Sequence, residues 1–317
     1  MHSQQNRGLP LRLLPTIGLL FSLAGLAASG SPRRPHSPEE AGRFRITSDI
    51  VLVNATVVDA AGRPVEGLTQ DHFRLFEYHT EAHIAYFGEE ETPVSLVIVA
   101  DTSGSMKGKL NVCARAAAEL FRSILPDDEF ALVTFAGRPL VAEPWTTDDS
   151  KIRSALASAP AAGTTALFDA VQLGAQYASH GRNARKAVLV VSDGGDNHSR
   201  YSEGDVRRRI EELDLELYAL NIGGSWFSEA EGWWGRAVLE RLCEHASGRY
   251  VAVERLSELP AAVSRISREI RSQYLLRYRP RRLDGAGCLH KVEVKVIPPD
   301  GMRRVSVRWR QNWREPN

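Results

Sequence analysis

Asp101, Ser103 and Ser105 stand on alternate positions in the segment S-L-V-I-V-A-D-T-S-G-S-M, from Ser95 to Met106. One tight loop carrying them can aim three oxygens at a single point. A hard cation such as Mg²⁺ takes about six oxygen ligands at roughly 2.0–2.1 Å and keeps several waters, so such a loop can supply part of its shell. The same residue types also suit two other tasks. Serines cap a helix by accepting from its free N–H groups, and a helix N-terminus can hold an anion. The loop alone does not choose among the three.

Two later stretches bring more oxygens. Ala161–Val171 reads A-A-G-T-T-A-L-F-D-A-V, with hydroxyls just ahead of a helical pattern, and Lys186–Ser199 reads K-A-V-L-V-V-S-D-G-G-D-N-H-S, an apolar run ending in an aspartate. Taken in order, the three stretches resemble the von Willebrand factor type A domain. The metal-ion-dependent adhesion site of that family uses D-x-S-x-S, a threonine on a second loop and an aspartate on a third. The resemblance implies Asp101, Ser103, Ser105, Thr165 and Asp193 as ligands of Mg²⁺, with Mn²⁺ as an alternative ion, and it covers about Val94–Ile270. The family's Gly-Gly-Thr is Gly163-Thr164-Thr165 here. Thr165 is assigned because it immediately precedes A-L-F-D; Thr164 is the alternative. The longer phrases T-A-L-F-D-A-V and S-D-G-G-D-N-H-S resemble a group of exported bacterial proteins with a type A-related domain.

What the resemblance implies is binding rather than chemistry: an acidic side chain of another protein completes the metal shell. The alternative is a metal-dependent hydrolase, in which the ion polarises a substrate or activates water. That needs a general base, and the sequence has no Ser-His-Asp context, nucleophile elbow or phosphate-binding loop. His198 is the only histidine near the site.

The elements that must position these residues read as an α/β fold. Leu96–Ala100 is too short for an independent helix and reads as a strand buried on both faces. Lys107–Leu125 follows with near-helical apolar spacing, so the metal loop sits where a strand hands over to a helix, the usual place for ligands in open α/β sheets. Glu129–Ala136 reads as a buried strand and Leu140–Trp145 as an edge strand. Thr165–Ser179 reads as a helix whose first turn carries the metal hydroxyl. Asp205–Leu213, Arg236–Ala246 and Leu256–Ile270 read as further helices, with Leu215–Ile222 and Tyr250–Val253 as strands. This alternation fits a doubly wound, mostly parallel, Rossmann-like sheet; its strand order is implied by the family.

Two β-rich regions flank that core, at 44–93 and 271–317. Each is too small to bury a good face alone, so the two are expected to pair in a small β domain. His79, Glu81 and His83 do not make a zinc motif, and H-T-E-A-H reads as a solvated hairpin. Arg277, Arg279, Arg303, Arg304, Arg308 and Arg310 alternate with apolar residues, as on a solvated strand face.

At the start, Arg7 and Arg12 precede the apolar stretch Leu13–Ala28, and small residues follow. Residues 1–30 read as a secretory signal peptide and 31–43 as a linker, placing the protein in the periplasm or outside the cell. An uncleaved membrane anchor is the competing reading, but the stretch is shorter than the ~20 residues a spanning helix needs and contains Pro15. The chain of 317 residues, 43% hydrophobic and 25% charged, is ordinary for a soluble globular protein. Its formal net charge of +1 removes the electrostatic argument for nucleic acid. Cys113, Cys243 and Cys288 are widely spaced and suggest neither a disulfide framework nor a zinc ribbon. Finally, Gly223–Trp234, G-G-S-W-F-S-E-A-E-G-W-W, follows the strand ending at Ile222 and should emerge beside Asp101 and Asp193; the alternative is that Trp233 and Trp234 begin the next helix and fill the core. Trp226 and Phe227 are assigned to the partner-facing rim on the ground of that emergence, aromatics being frequent binding hot spots, and Thr164 is assigned to the rim with them.

Overall fold

A computed structural model of the chain describes residues 50–314, apart from 90–91, 194, 214, 223–228, 282–287, 300 and 303. The signal segment, the linker and the rim residues Trp226 and Phe227 lie outside the described residues. All those described belong to one compact unit, Ser48–Asn317.

Apolar residues alternate along Val51–Asp59 (β1) and Phe73–Glu77 (β2), and one face of each turns inward. Thr80–Ala82 (β3) and Ile84–Glu89 (β4) follow. H-T-E-A-H falls at the β2–β3 hairpin, where Glu77 pairs with Thr80. The turn residues Tyr78 and His79 have φ of 44° and 67°. The core then runs through Val94–Asp101 (β5), Leu110–Leu120 (α1), Glu129–Phe135 (β6), Pro139–Thr146 (β7), Asp149–Ser158 (α2), Leu167–Ser179 (α3), Arg185–Ser192 (β8), Glu203–Leu213 (α4), Glu216–Asn221 (β9), Glu229–His245 (α5), Tyr250–Ala252 (β10) and Leu259–Arg271 (α6). Tyr274–Tyr278 (β11), Leu289–Val296 (β12), Val305–Trp309 (β13) and Asn312–Arg314 (β14) close the chain.

The central sheet has the order β10-β9-β8-β5-β6-β7. All its pairs are parallel except β6 with the edge strand β7. All eight residues of β5 are buried, as the apolar run predicts for a strand covered on both faces. Helices α1, α2 and α6 pack on one face with Leu96, Ile98 and Leu132. On the other, α3, α4 and α5 pack with Val97, Val99 and Val133. Gly174 lets α3 approach β5 closely: a Cβ there would stand 2.5 Å from a methyl of Val99.

The flanking regions interleave. β1 lies between β13 and β11 in a sheet of order β13-β1-β11-β4, and β2 between β12 and β3 in a sheet of order β14-β12-β2-β3. The two sheets share one apolar core that includes Val53, Leu75, Leu276 and Val294. This β module joins the amino edge of the central sheet. Glu269 on α6, fully buried, pairs with Arg249 at 2.8 Å and with Arg308 of β13. Arg308 is therefore no part of a solvated face, contrary to the expectation from its alternation. Gln273 donates to Glu216 at the start of β9 (3.0 Å), and Glu216 also pairs with Arg185 at the start of β8 (3.1 Å).

Several bounds differ from the sequence reading. The D-x-S-x-S loop itself ends in a 3-10 turn, Gly104–Met106, and α1 is shorter at both ends than Lys107–Leu125. α2 was not anticipated. α3 starts at Leu167, so Thr165 precedes the helix rather than lying in its first turn. α5 starts at Glu229, so Trp233 and Trp234 belong to the helix, the alternative placement, and not to the loop.

Cys113 on α1 and Cys243 on α5 sit in the clusters on opposite faces of the sheet, and both are free, as is Cys288. Burial above all pushes the Cys113 thiol up to about 12 and Cys243 well above the usual thiol range, so neither is a ready nucleophile. Titration of the unfolded, unreduced protein should count three thiols; a count of one would mean that two of them are bonded.

Candidate metal centre

The centre is built where β5 and β8 run side by side. Ala100 is in register with Val191, which sets Asp101, the last residue of β5, beside Ser192. The chain leaves β5 toward α1 on one face and leaves β8 toward α4 on the other. The two loops therefore diverge at a switch point, the place in an open α/β sheet where ligands commonly bind.

Asp101 is fully buried. One carboxylate oxygen accepts the Ser103 N–H at 2.8 Å and the other accepts the Ser192 hydroxyl at 2.6 Å. Burial raises its pKa from the ordinary aspartate value; the Ser103 and Ser192 hydroxyls oppose the shift, and the nearby negative charge of Asp193 adds to it. The hydroxyls next in the loop carry the contacts on to Asp193. The hydroxyls of Ser103 and Ser105 lie 3.0 Å apart, and Ser105 donates to Asp193 Oδ1 at 2.7 Å. The Lys109 ammonium lies against Asp193 Oδ2. Asp193 itself is buried.

The threonine loop is docked onto the D-x-S-x-S loop by backbone bonds: Gly104 N–H to Gly163 C=O (3.1 Å) and Ala162 N–H to Thr102 C=O (2.9 Å). Gly163 makes this turn at φ 92°, a region glycine enters without strain. Thr165 is buried, and its N–H is held by the Asn197 side chain at 2.9 Å, while its carbonyl accepts from Asn197 and His198. Thr164 is exposed, with its hydroxyl beside Gly137 in the β6–β7 turn. A second latch fixes the loop after β8. Asp169 on α3 accepts the N–H groups of Arg200 (2.8 Å) and Tyr201 (3.1 Å) and pairs with the Arg200 guanidinium (2.9 Å). Burial pushes the Asp169 pKa up, but the bonds from Arg200 and Tyr201 prevail and hold it below the ordinary value.

The structure thus brings Asp101, Ser103, Ser105 and Asp193 into one connected set, with the Thr165 loop docked beside it. Sequence reasoning missed Lys109, Ser192, Asn197 and Asp169. Asp169, Ser192 and Asn197 lie inside the quoted phrases, where their types signalled polar contacts but not which ones. Lys109 carried no signal, because a cation is not sought among the ligands of a cation.

Residues 96–195 match the sequence profile of the von Willebrand factor type A domain. Over that stretch the chain is similar to a von Willebrand factor type A domain. The uncharacterized protein sll0103 of Synechocystis is 27% identical over 178 residues, covering 54% of this chain and 40% of its own length, so the chain spans less than half of that relative. Among solved structures, a von Willebrand factor type A protein from Catenulispora acidiphila aligns with TM-score 0.49 at 12% identity, covering 84% of this chain and 72% of that one. BatB from Bacteroides thetaiotaomicron aligns with TM-score 0.44 at 19% identity, covering 56% and 100%.

The residues of this centre have the donor chemistry of a site for a hard divalent cation. Oxygens ringing an octahedral ion at roughly 2.0–2.1 Å stand about 2.9 Å from their neighbours. The observed Ser103–Ser105 and Ser105–Asp193 separations of 3.0 and 2.7 Å bracket that spacing. Among the described residues no group of three or more His, Cys, Asp or Glu could hold a metal. An ion here would rest on two carboxylates and neutral hydroxyls, a donor set suited to Mg²⁺ or Mn²⁺ rather than to zinc.

Proposed function

We propose that this chain is an exported, non-enzymatic protein that binds another protein through a Mg²⁺ held at this centre, with Mn²⁺ as a substitute. Asp101, Ser103, Ser105, Thr165 and Asp193 hold the ion, and an acidic side chain of the partner completes its shell. An ion held there would supply a fixed positive charge for the partner's acidic group, while the protein's own fold keeps Asp101 and Asp193 buried and in place. The observation that carries the reading is one connected set at the carboxyl edge of the sheet: Ser103 donates its N–H to Asp101, and the hydroxyls of Ser103 and Ser105 lead on to Asp193. The β module ties into the opposite, amino edge through Glu269 and Glu216, which suits a binding edge that faces a partner.

Because Thr165 is buried beside the centre and the Thr164 hydroxyl lies by Gly137, the two threonines should separate in a metal titration. Thr165→Ala should weaken Mg²⁺ binding by about tenfold, on the scale of losing a supporting group at a metal site, and Thr164→Ala should leave it unchanged. The reverse result would give the ligand's place to Thr164. The function itself is tested with the full chain as bait in envelope extract. A protein retained in Mg²⁺, released by chelator and not captured by the Asp101→Ala form supports the reading. Capture that ignores the chelator, or ester or phosphate turnover that the same substitution abolishes, contradicts it.

A further inference from the structure

Resting on the metal-binding reading above, we infer that Lys109 is a tethered cation that competes with the divalent ion for Asp193, so that loading of the centre is set by the free Mg²⁺ around the protein. Lys109 immediately precedes α1, and its side chain is 22% exposed while that of Asp193 is fully covered. Its ammonium lies against Oδ2 of the same carboxylate whose Oδ1 receives the Ser105 hydroxyl. Both oxygens of Asp193 are therefore engaged, one of them by a full positive charge.

The competition is one of charge. Asp101 and Asp193 carry two negative charges, and the ammonium cancels one, so an arriving Mg²⁺ meets a weaker field than the carboxylates alone would present. A lysine can act as such a counter-ion and still yield. It is a compact, strongly hydrated charge on a flexible four-carbon stem, and its partial exposure gives the ammonium a short path to water. An arginine could fork onto both carboxylate oxygens and would be harder to displace. With the ion bound and Lys109 close by, the sum of formal charges is positive by one, which favours an incoming acidic group over a neutral one.

The test is calorimetric titration of Mg²⁺ into chelator-treated full chain, comparing wild type with Lys109→Met and Lys109→Gln, both checked for fold by far-UV spectra. Removing a competing charge at contact distance should tighten Mg²⁺ binding by about tenfold or more in each variant. A second readout needs no metal titration. In chelator the two variants should melt below wild type, because the buried Asp193 loses the ammonium that lies against it, and saturating Mg²⁺ should raise their midpoints by more than it raises that of wild type. Wild-type binding with equal or weaker affinity in the variants would overturn the inference and leave the metal reading standing, since Lys109 would then be holding Asp193 in place for the ion. No Mg²⁺ binding in any of the three proteins would remove the metal reading, and the inference with it.

Discussion

Asp101→Ala should lower Mg²⁺ affinity by at least about 100-fold, more than the loss of a supporting group commonly costs a metal site, while the protein keeps its fold. Asp101 supplies one of the two formal negative charges at the centre, and no hydroxyl replaces it. The cost to stability is small for a reason visible in its surroundings. Burial raises the Asp101 pKa, so the folded chain resists ionising this group more than the unfolded chain does. Linkage gives the sign: stability tied to a raised carboxyl pKa is fully present below the unfolded value, near 3.8, and is lost as pH rises through the folded value. At neutral pH the ionised side chain is a burden, which partly offsets the loss of the bonds from Ser103 and Ser192. In chelator the substitution should therefore change unfolding free energy by no more than about 1–2 kcal/mol. Calorimetry and denaturant unfolding on the same preparation check both halves; unchanged metal affinity would remove Asp101 from the ligand set.

Glu269→Ala should do the opposite, costing about 3–5 kcal/mol of stability, as breaking a buried ion pair from one side commonly does, with Mg²⁺ affinity unchanged in the folded protein. Glu269 is fully buried on α6 and lies between Arg249 and Arg308, whose side chains are only 11% and 24% exposed. Removing it leaves two guanidinium groups facing each other with their counter-charge gone. Arg249 also donates to the Gly62 carbonyl at 3.1 Å, and Arg308 belongs to β13, so the loss would loosen the join between the β module and the core. Urea unfolding measures the effect. A cost below about 1 kcal/mol, the range of an exposed pair, would show that this junction is well solvated.

The parts of the fold that could be read from the sequence are those where one kind of burial dominates. Leu96–Ala100 and Val188–Val191 are covered on both faces and contain no polar residue, so their strands and the aspartates ending them stand out. α2 did not, because only Ile152 and Leu156 are buried along it and the rest of D-S-K-I-R-S-A-L-A-S faces partly or fully outward. Its signal was at the start, where the Asp148 side chain accepts the Ser150 N–H at 3.0 Å. The start of α5 was read as loop because Gly223, Gly224 and Gly232 punctuate an aromatic-rich stretch, yet the helix begins at Glu229. At the site, the residues found were those with oxygen ligands in a recognised order. The contact of Lys109 with Asp193 and the clasp of Asp169 on Arg200 and Tyr201 join segments far apart in the chain. Nothing local in the sequence marks such pairs, since they come into being only when β8 is laid beside β5.

The central claim is that a divalent ion sits among these particular oxygens, and Mn²⁺ tests it most directly because it scatters X-rays anomalously where Mg²⁺ does not. Crystals of the full chain grown or soaked with Mn²⁺ should show one strong anomalous peak in contact with Asp101 or Asp193 and with the Ser103 and Ser105 hydroxyls, absent from crystals of the Asp101→Ala form. A peak elsewhere with none among these residues, or an unchanged peak in the Asp101→Ala form, would contradict the account.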